Sequence, residues 1–274
     1  MPAERCAQNK DHLIKVMFLC AIARPQYNNA GTCIFNGKIG MWPFVETRIV
    51  RISSHNQPGA GTPETKVMNC DKVTYSRQFM IEKMIPAIRL KWPDRGMNQT
   101  VTIQHDGASA HIPENDVEFN QAAKQGVWNI CIDTQPAKSP DTNMLGFSFF
   151  RALQAKQWSL GSETSIDGLI AQVLQAFGEF EPKRIDCEFL TLQTCFLHDM
   201  MEVNGGNDYK VRHLGKLALL REFGYISRTF RATDEALQVH QLFTGDGGKK
   251  IHDSGDDNYD AGAVDQMIIP MQAV

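Results

Sequence analysis

The chain has 274 residues, 42% of them hydrophobic and 22% charged, a mean hydropathy of -0.31, a net charge of -3 and a pI near 6.2. That composition is ordinary for a folded globular protein of one large or two small domains, and it excludes a low-complexity or fibrous chain. The slight acidic excess also argues against an autonomous nucleic-acid binder, which usually carries a clear basic surplus.

No apolar run approaches the roughly 18 residues that span a bilayer, and "MPAERCAQNKDH" (1–12) is a polar segment without a signal-peptide core, so an intracellular protein is expected. Residues 13–24, "LIKVMFLCAIAR", are short and nearly all apolar, the pattern of a buried strand. "TCIFNGKIGMWPFVE" (32–46) reads as a hairpin arm and a further strand around an Asn36-Gly37 turn. "SSHNQPGAGTPET" (53–65) reads as a loop. Residues 70–92 have helical spacing through Val73, Phe79, Met80, Met84 and Ile88, with Asp71 as a cap and a kink expected at Pro86.

A strand "TVTIQHD" ends at Asp106, a helix is expected over 114–125, and "VWNICIDTQ" (127–135) is a further strand. After the turn "PAKSPDTN" come three helices. In one, Ile166, Leu169, Ile170, Val173, Leu174 and Phe177 form a stripe; in another, Pro182 opens a face with Ile185, Phe189, Leu192, Phe196 and Met200. From 232 to 274 the sequence is acidic, Gly-rich and non-periodic, and a disordered tail is expected. Strands followed by alternating helices and strands imply an α/β domain on one mixed sheet over 13–231. The seven cysteines are odd in number, scattered and without a CxxC pair, which argues against a zinc site and a disulfide framework; Cys20 and Cys131 read as core.

"HDGASAH" (105–111) and "QPAKSPDTNMLGFSFFRALQ" (135–154), in this order and spacing, resemble the central region of mariner-like transposases of the DDE/DDD superfamily. "KVMFLCAIARP", "GKIGMWPFVE", "IEKMIPAIRLKWP" and "GGNDYKVRHLGK" extend the resemblance to the eukaryotic subgroup with the longer spacing between its last two carboxylates, over about residues 10–220. The resemblance implies a ribonuclease H-like fold and a DNA endonuclease and strand transferase. Two Mg²⁺ ions held by three carboxylates would stabilise the attacking and leaving oxygens.

Carried over position by position, Asp106 matches the second carboxylate and hence a metal ligand. The third falls at Gly146, with thirty-nine residues between the two positions. The first belongs to a "DEKWF"-like strand that the sequence does not contain, so the first central strand is expected to be absent or replaced, leaving sheet edges open. The resemblance thus implies a degenerate copy, catalytically inactive, with Mg²⁺ binding lost or weak. It implies a nuclear protein with weak DNA binding through residues such as Lys210, Arg212, Lys216 and Arg221, and neither a membrane nor a small-molecule partner.

The alternatives are a domesticated ribonuclease H-like scaffold that binds protein or nucleic acid, and an unrelated metal-dependent nuclease pairing Asp106 with Asp141 or Asp133. Simpler readings stand beside these. Asp106 can be a strand-end turn residue, His111 a surface or capping histidine, and Asp141 or Asn143 a helix cap. Phe147, Phe149 and Phe150 read as core and not as a base-stacking platform. "DDNYDAG" and "GDGGKK" lack the spacing of a calcium or a phosphate loop.

Overall fold

The computed structural model of the chain describes residues 15–51, 59–93, 100–135, 142–194, 199–203, 208–210, 215–223 and 269–272. Over these residues the protein is mixed α/β. Strand β1 (Phe18–Ile22) has β4 (Lys38–Pro43) on one side and β9 (Ile269–Gln272) on the other, both antiparallel. Strands β7 (Thr100–His105) and β8 (Asn129–Thr134) pair in parallel, and β9 comes close to β7. Two smaller antiparallel pairs complete the set: β2 (Gln26–Tyr27) with β3 (Cys33–Phe35), and β5 (Val45–Ile49) with β6 (Pro63–Val67).

All five residues of β1 are buried, and their alternation divides them between two cores. Leu19 and Ala21 face a cluster with Phe44, Tyr75, Phe79, Met84, Val101 and Ile103. Phe18, Cys20 and Ile22 face a second cluster with Met144, Leu145, Phe149, Phe177 and Phe189. A strand with helices over both faces and neighbours along both edges has to be apolar at every position, which is why 18–22 reads as a continuous run. A bulge at Ile39, opposite the Ala21/Ile22 step, turns Ile39 into the first core while Met41 faces the second.

The helices follow local signals. Asp71 accepts a hydrogen bond from the Thr74 amide (2.7 Å) and starts a wide-turned π-helical segment, Thr74–Met84, that continues as α1 (Ile85–Lys91). Pro86 is the second residue of α1, at the junction where the π-helical pitch gives way to the α-helical one. Asp116 caps α2 (Val117–Ala123) and Ser165 caps α4 (Ile166–Gly178), each through its side-chain oxygen. A second π-helical segment, Leu145–Phe149, runs into α3 (Phe150–Ser159); α5 (Pro182–Thr194) and α6 (Lys216–Phe223) follow.

Several expectations are corrected. Asn36-Gly37 is not the tip of a hairpin: β3 pairs with β2 and β4 with β1, so the turn is a corner between sheets. Gly37 has φ +76°, and a Cβ there would lie 2.3 Å from the Ala23 carbonyl oxygen, so the corner needs glycine twice over. The loop expected over 53–65 ends at Pro63, where β6 begins, because Glu64–Val67 can ladder against Val45–Arg48. Val73 and Leu174, read as buried faces, are exposed at 72% and 38%, and Tyr75 takes the buried place on the first helical segment. The expected single sheet is hydrogen-bonded as separate small sheets. Ile269–Gln272, placed in the expected disordered tail, is a strand whose backbone pairs with the second edge of β1. Phe196 and Asp141 lie outside the described residues. Among the described residues, no helix is long and apolar enough to cross a membrane.

Candidate functional site

β7 presents Val101 and Ile103 to the first core, and the two-residue period brings His105 to the same side. Asp106, the next residue, lies just past the end of the parallel β7–β8 pair, the end at which α/β proteins collect chemistry. Its side chain is 43% exposed. Oδ1 accepts the Ala108 amide at 3.0 Å, closing a turn of the Asx kind, and lies 2.9 Å from His111 Nδ1. The backbone carbonyl of Asp106 is 2.7 Å from the same Nδ1. Since a carbonyl only accepts, Nδ1 of His111 carries the proton, and in the neutral ring Nε2 carries the lone pair.

His111 is buried, so it is not a surface histidine, and the cap of the next helix is Asp116. Its ring packs against both Tyr75 (centroids 4.5 Å apart) and His105 (4.8 Å, planes 7° from parallel), and those two rings are themselves 6.2 Å apart, so the three form a triangular cluster. The Tyr75 hydroxyl meets His105 Nδ1 at 3.2 Å. Burial, and then the neighbouring His111, push the His105 pKa from 6.5 down to about 4, against smaller upward pulls from Asp106 and Glu114. Tyr75 is driven the other way, well above the usual phenol, by burial and by the Asp106 charge. The Nε2 atoms of both histidines are buried with no hydrogen-bond partner among the described residues.

These nitrogens do not make a shared metal site as they stand. An imidazole lone pair lies in its ring plane, and stacked planes only 7° from parallel do not bring two such lone pairs to one cation. No group of three or more His, Cys, Asp or Glu side chains is arranged to hold a metal among the described residues.

Gly146 lies in the first turn of the helical segment that leads into α3 and is exposed. Its amide and that of Leu145 point at Asn143 Oδ1, at 3.3 and 3.2 Å. Asn143 is therefore the cap of this helix, one of the two residues the sequence offered for the role. Gln104 Nε2 reaches the Thr142 carbonyl at 3.4 Å, which links the end of β7 to the entry of the Gly146 helix. Asp133 faces Gln104 across the β7–β8 pair, two register positions before Asp106. Phe149 and Phe150 pack edge to face, with Phe149 fully buried, as core aromatics do.

The donor set does not suit a pair of Mg²⁺ ions. Of the two carboxylates at this end of the β7–β8 pair, Asp106 has Oδ1 already hydrogen-bonded and Glu114 accepts the Thr134 amide at 3.0 Å; the helix position offers no side chain, and the nearby histidines supply nitrogen where hard cations require oxygen. Of the residues assigned to DNA, Lys216 is bound to α5: Nζ donates to the Cys187 carbonyl at 3.0 Å and to the Thr191 hydroxyl. Lys210 and Arg221 are exposed, and Arg212 lies outside the described residues.

Tyr75 and His105 are the residues that sequence reasoning passed over as part of this cluster. The signal was present in the strand period, which aligns His105 with Val101 and Ile103, and in the four-residue step from Tyr75 to Phe79. No protein-family model, curated protein or solved structure matches the chain.

Proposed function

We propose that this chain derives from a mariner-like DNA transposase with a ribonuclease H-like catalytic domain and that it no longer cleaves DNA. The observation that carries the reading is the placing of Asp106, half-exposed at the end of a parallel strand, with a link from β7 to the entry of a helix whose first turn holds Gly146. In the resemblance these are the second and third carboxylate positions. The order of strands supports it: β4 and β1 antiparallel, then β9, with the parallel pair β7–β8 close by.

The chemistry of such a site needs oxygen ligands on two cations, so that an attacking water or 3′-hydroxyl and the leaving oxygen are both stabilised. Asp106 alone cannot fix two cations at a defined separation. What the residues at the site do here is hold the strand end: Asp106 closes a turn and orients His111. DNA, the substrate the reading assigns, would be met in the nucleus and bound weakly through exposed cations such as Lys210 and Arg221, with little help from a net charge of -3.

The test is a nicking assay on supercoiled plasmid, and on DNA carrying inverted terminal repeats, with Mg²⁺ or Mn²⁺, comparing the chain with an Asp106→Ala variant. No metal-dependent nicking is expected from either. Nicking by the wild-type chain that disappears in Asp106→Ala would show a working site and overturn the loss of activity.

A further inference from the structure

The second edge of β1 is paired by a segment distant in sequence. Leu19, Cys20, Ala21 and Ile22 face Gln272, Met271, Pro270 and Ile269 in antiparallel register. We infer that this edge is a strand-acceptor site whose resident is the chain's own segment Ile269–Gln272, and that filling it is what joins the β4–β1 pair to the β7–β8 pair.

Three observations carry this. First, β1 is buried along its whole length, with neither face open. A strand so placed cannot leave the N–H and C=O groups of one edge without partners, because water does not reach them freely. Second, β9 is hydrogen-bonded to β1 and also lies close to β7, so it stands where the two half-sheets meet. Third, the sequence "MIIPMQ" is a short apolar stretch directly after the acidic, Gly-rich tract, as an added strand requires. Pro270 restricts the register: without an N–H it fits only at a position that donates no ladder bond, and a slip by one residue would place it at a bonded one. Forty-five residues separate Phe223 from Ile269, a length that extended chain converts into well over 100 Å, so reach does not limit the pairing. A different chain offering an extended apolar segment would have to compete with this resident.

Hydrogen exchange on the full chain tests the inference directly. Peptides covering 269–272 are expected to exchange at least about ten-fold more slowly than unstructured chain. In Met271→Pro, which removes a backbone donor, the protection of both 269–272 and 18–22 should fall while that of β8 persists. Random-coil exchange of 269–272 in the wild-type chain would overturn the proposal, whether or not the proline variant folds. A cross-link identifies the donor chain. Facing residues on antiparallel strands have Cα atoms about 4.5–5.5 Å apart, within disulfide range, so the thiol introduced by Met271→Cys should couple to native Cys20 under an oxidant. A bridge within one chain supports the resident segment. A bridge that forms only between two chains, or an introduced thiol that is alkylated at the rate of a free peptide, overturns it.

Discussion

Acid should weaken the fold through His105, and the size of the effect follows from its surroundings. The ring is 1% exposed and its pKa is lowered from 6.5 to about 4, first by burial and then by His111. Above pH 6.5 the imidazole is neutral in folded and unfolded chains alike, and it adds no pH dependence. Between 6.5 and 4 the unfolded chain takes up a proton that the folded chain refuses, so stability falls with falling pH; below 4 this contribution is flat. A gap of 2.5 units corresponds to about 3.4 kcal/mol at the limit, and about 2 kcal/mol is already lost by pH 5. Seven other histidines and the carboxylates also titrate, so the measurement is a difference. Urea midpoints read by tryptophan fluorescence at about pH 7.5, 6.5 and 5 would be compared for the wild type and His105→Phe. The variant forfeits the Tyr75 hydrogen bond, about 1 kcal/mol, and starts less stable. It lacks the His105 titration, so its deficit should shrink and reverse sign by pH 5. Curves that stay parallel over that range would show that His105 is not held neutral, and the account of the cluster would fail.

Three further substitutions probe the packing around the sheet. Arg24, just after β1, is paired with buried Asp186 on α5 at 2.7 Å and also donates to Gln193 at 2.8 Å, so Asp186→Ala removes the charge partner and leaves the amide; a loss of about 2–3 kcal/mol is expected in chemical denaturation, and a loss under about 1 kcal/mol would mean that the ion pair adds little. Gly37→Ala and Gly31→Ala separate conformation from contact, because both have φ near +77° but only Gly37 has the Ala23 carbonyl at 2.3 Å from the new Cβ. Gly31→Ala should cost about 1 kcal/mol, from the left-handed backbone alone, and Gly37→Ala clearly more in the same thermal melt; equal costs would refute the close approach.

The parts of the fold legible in the sequence are those fixed by local chemistry. Asp71, Asp116 and Ser165 cap helices, as short oxygen-bearing side chains before helical periodicity do. The strands at 18–22, 38–43, 100–105 and 129–134 lie inside the runs that alternation or continuous apolarity marks. Pairing partners were not legible. Nothing local tells Asn36-Gly37 to divide two sheets instead of closing one hairpin, since that outcome is set by the Ala23 amide taking the Gly37 carbonyl at 2.7 Å. Nor does a run of four residues near 270 announce a strand, because its order comes from an edge some 250 residues earlier in the chain. At the site, the place of Asp106 just past a strand was legible from the alternation over 100–105, whereas the buried cluster of Tyr75, His105 and His111 depends on a helix and a strand meeting across the core.

That stack bears on how Asp106 acts. A carboxylate that ligates metal needs its oxygens pointed outward, while one that fixes a turn spends them on amides. In this protein Oδ1 is committed to the Ala108 amide and His111, and the backbone carbonyl to the same imidazole. His111 is in turn buried and packed against the Tyr75 and His105 rings. Rotating Asp106 toward a cation would break the turn and leave a buried Nδ1 proton on the carbonyl alone. An aspartate placed at Gly146 would therefore add one ligand while the Asp106 carboxylate is already engaged. Gly146→Asp should raise Mn²⁺ affinity by less than about ten-fold in titration calorimetry, a gain below 1.4 kcal/mol. A hundred-fold gain would show that the turn yields easily and that the two positions can form one site.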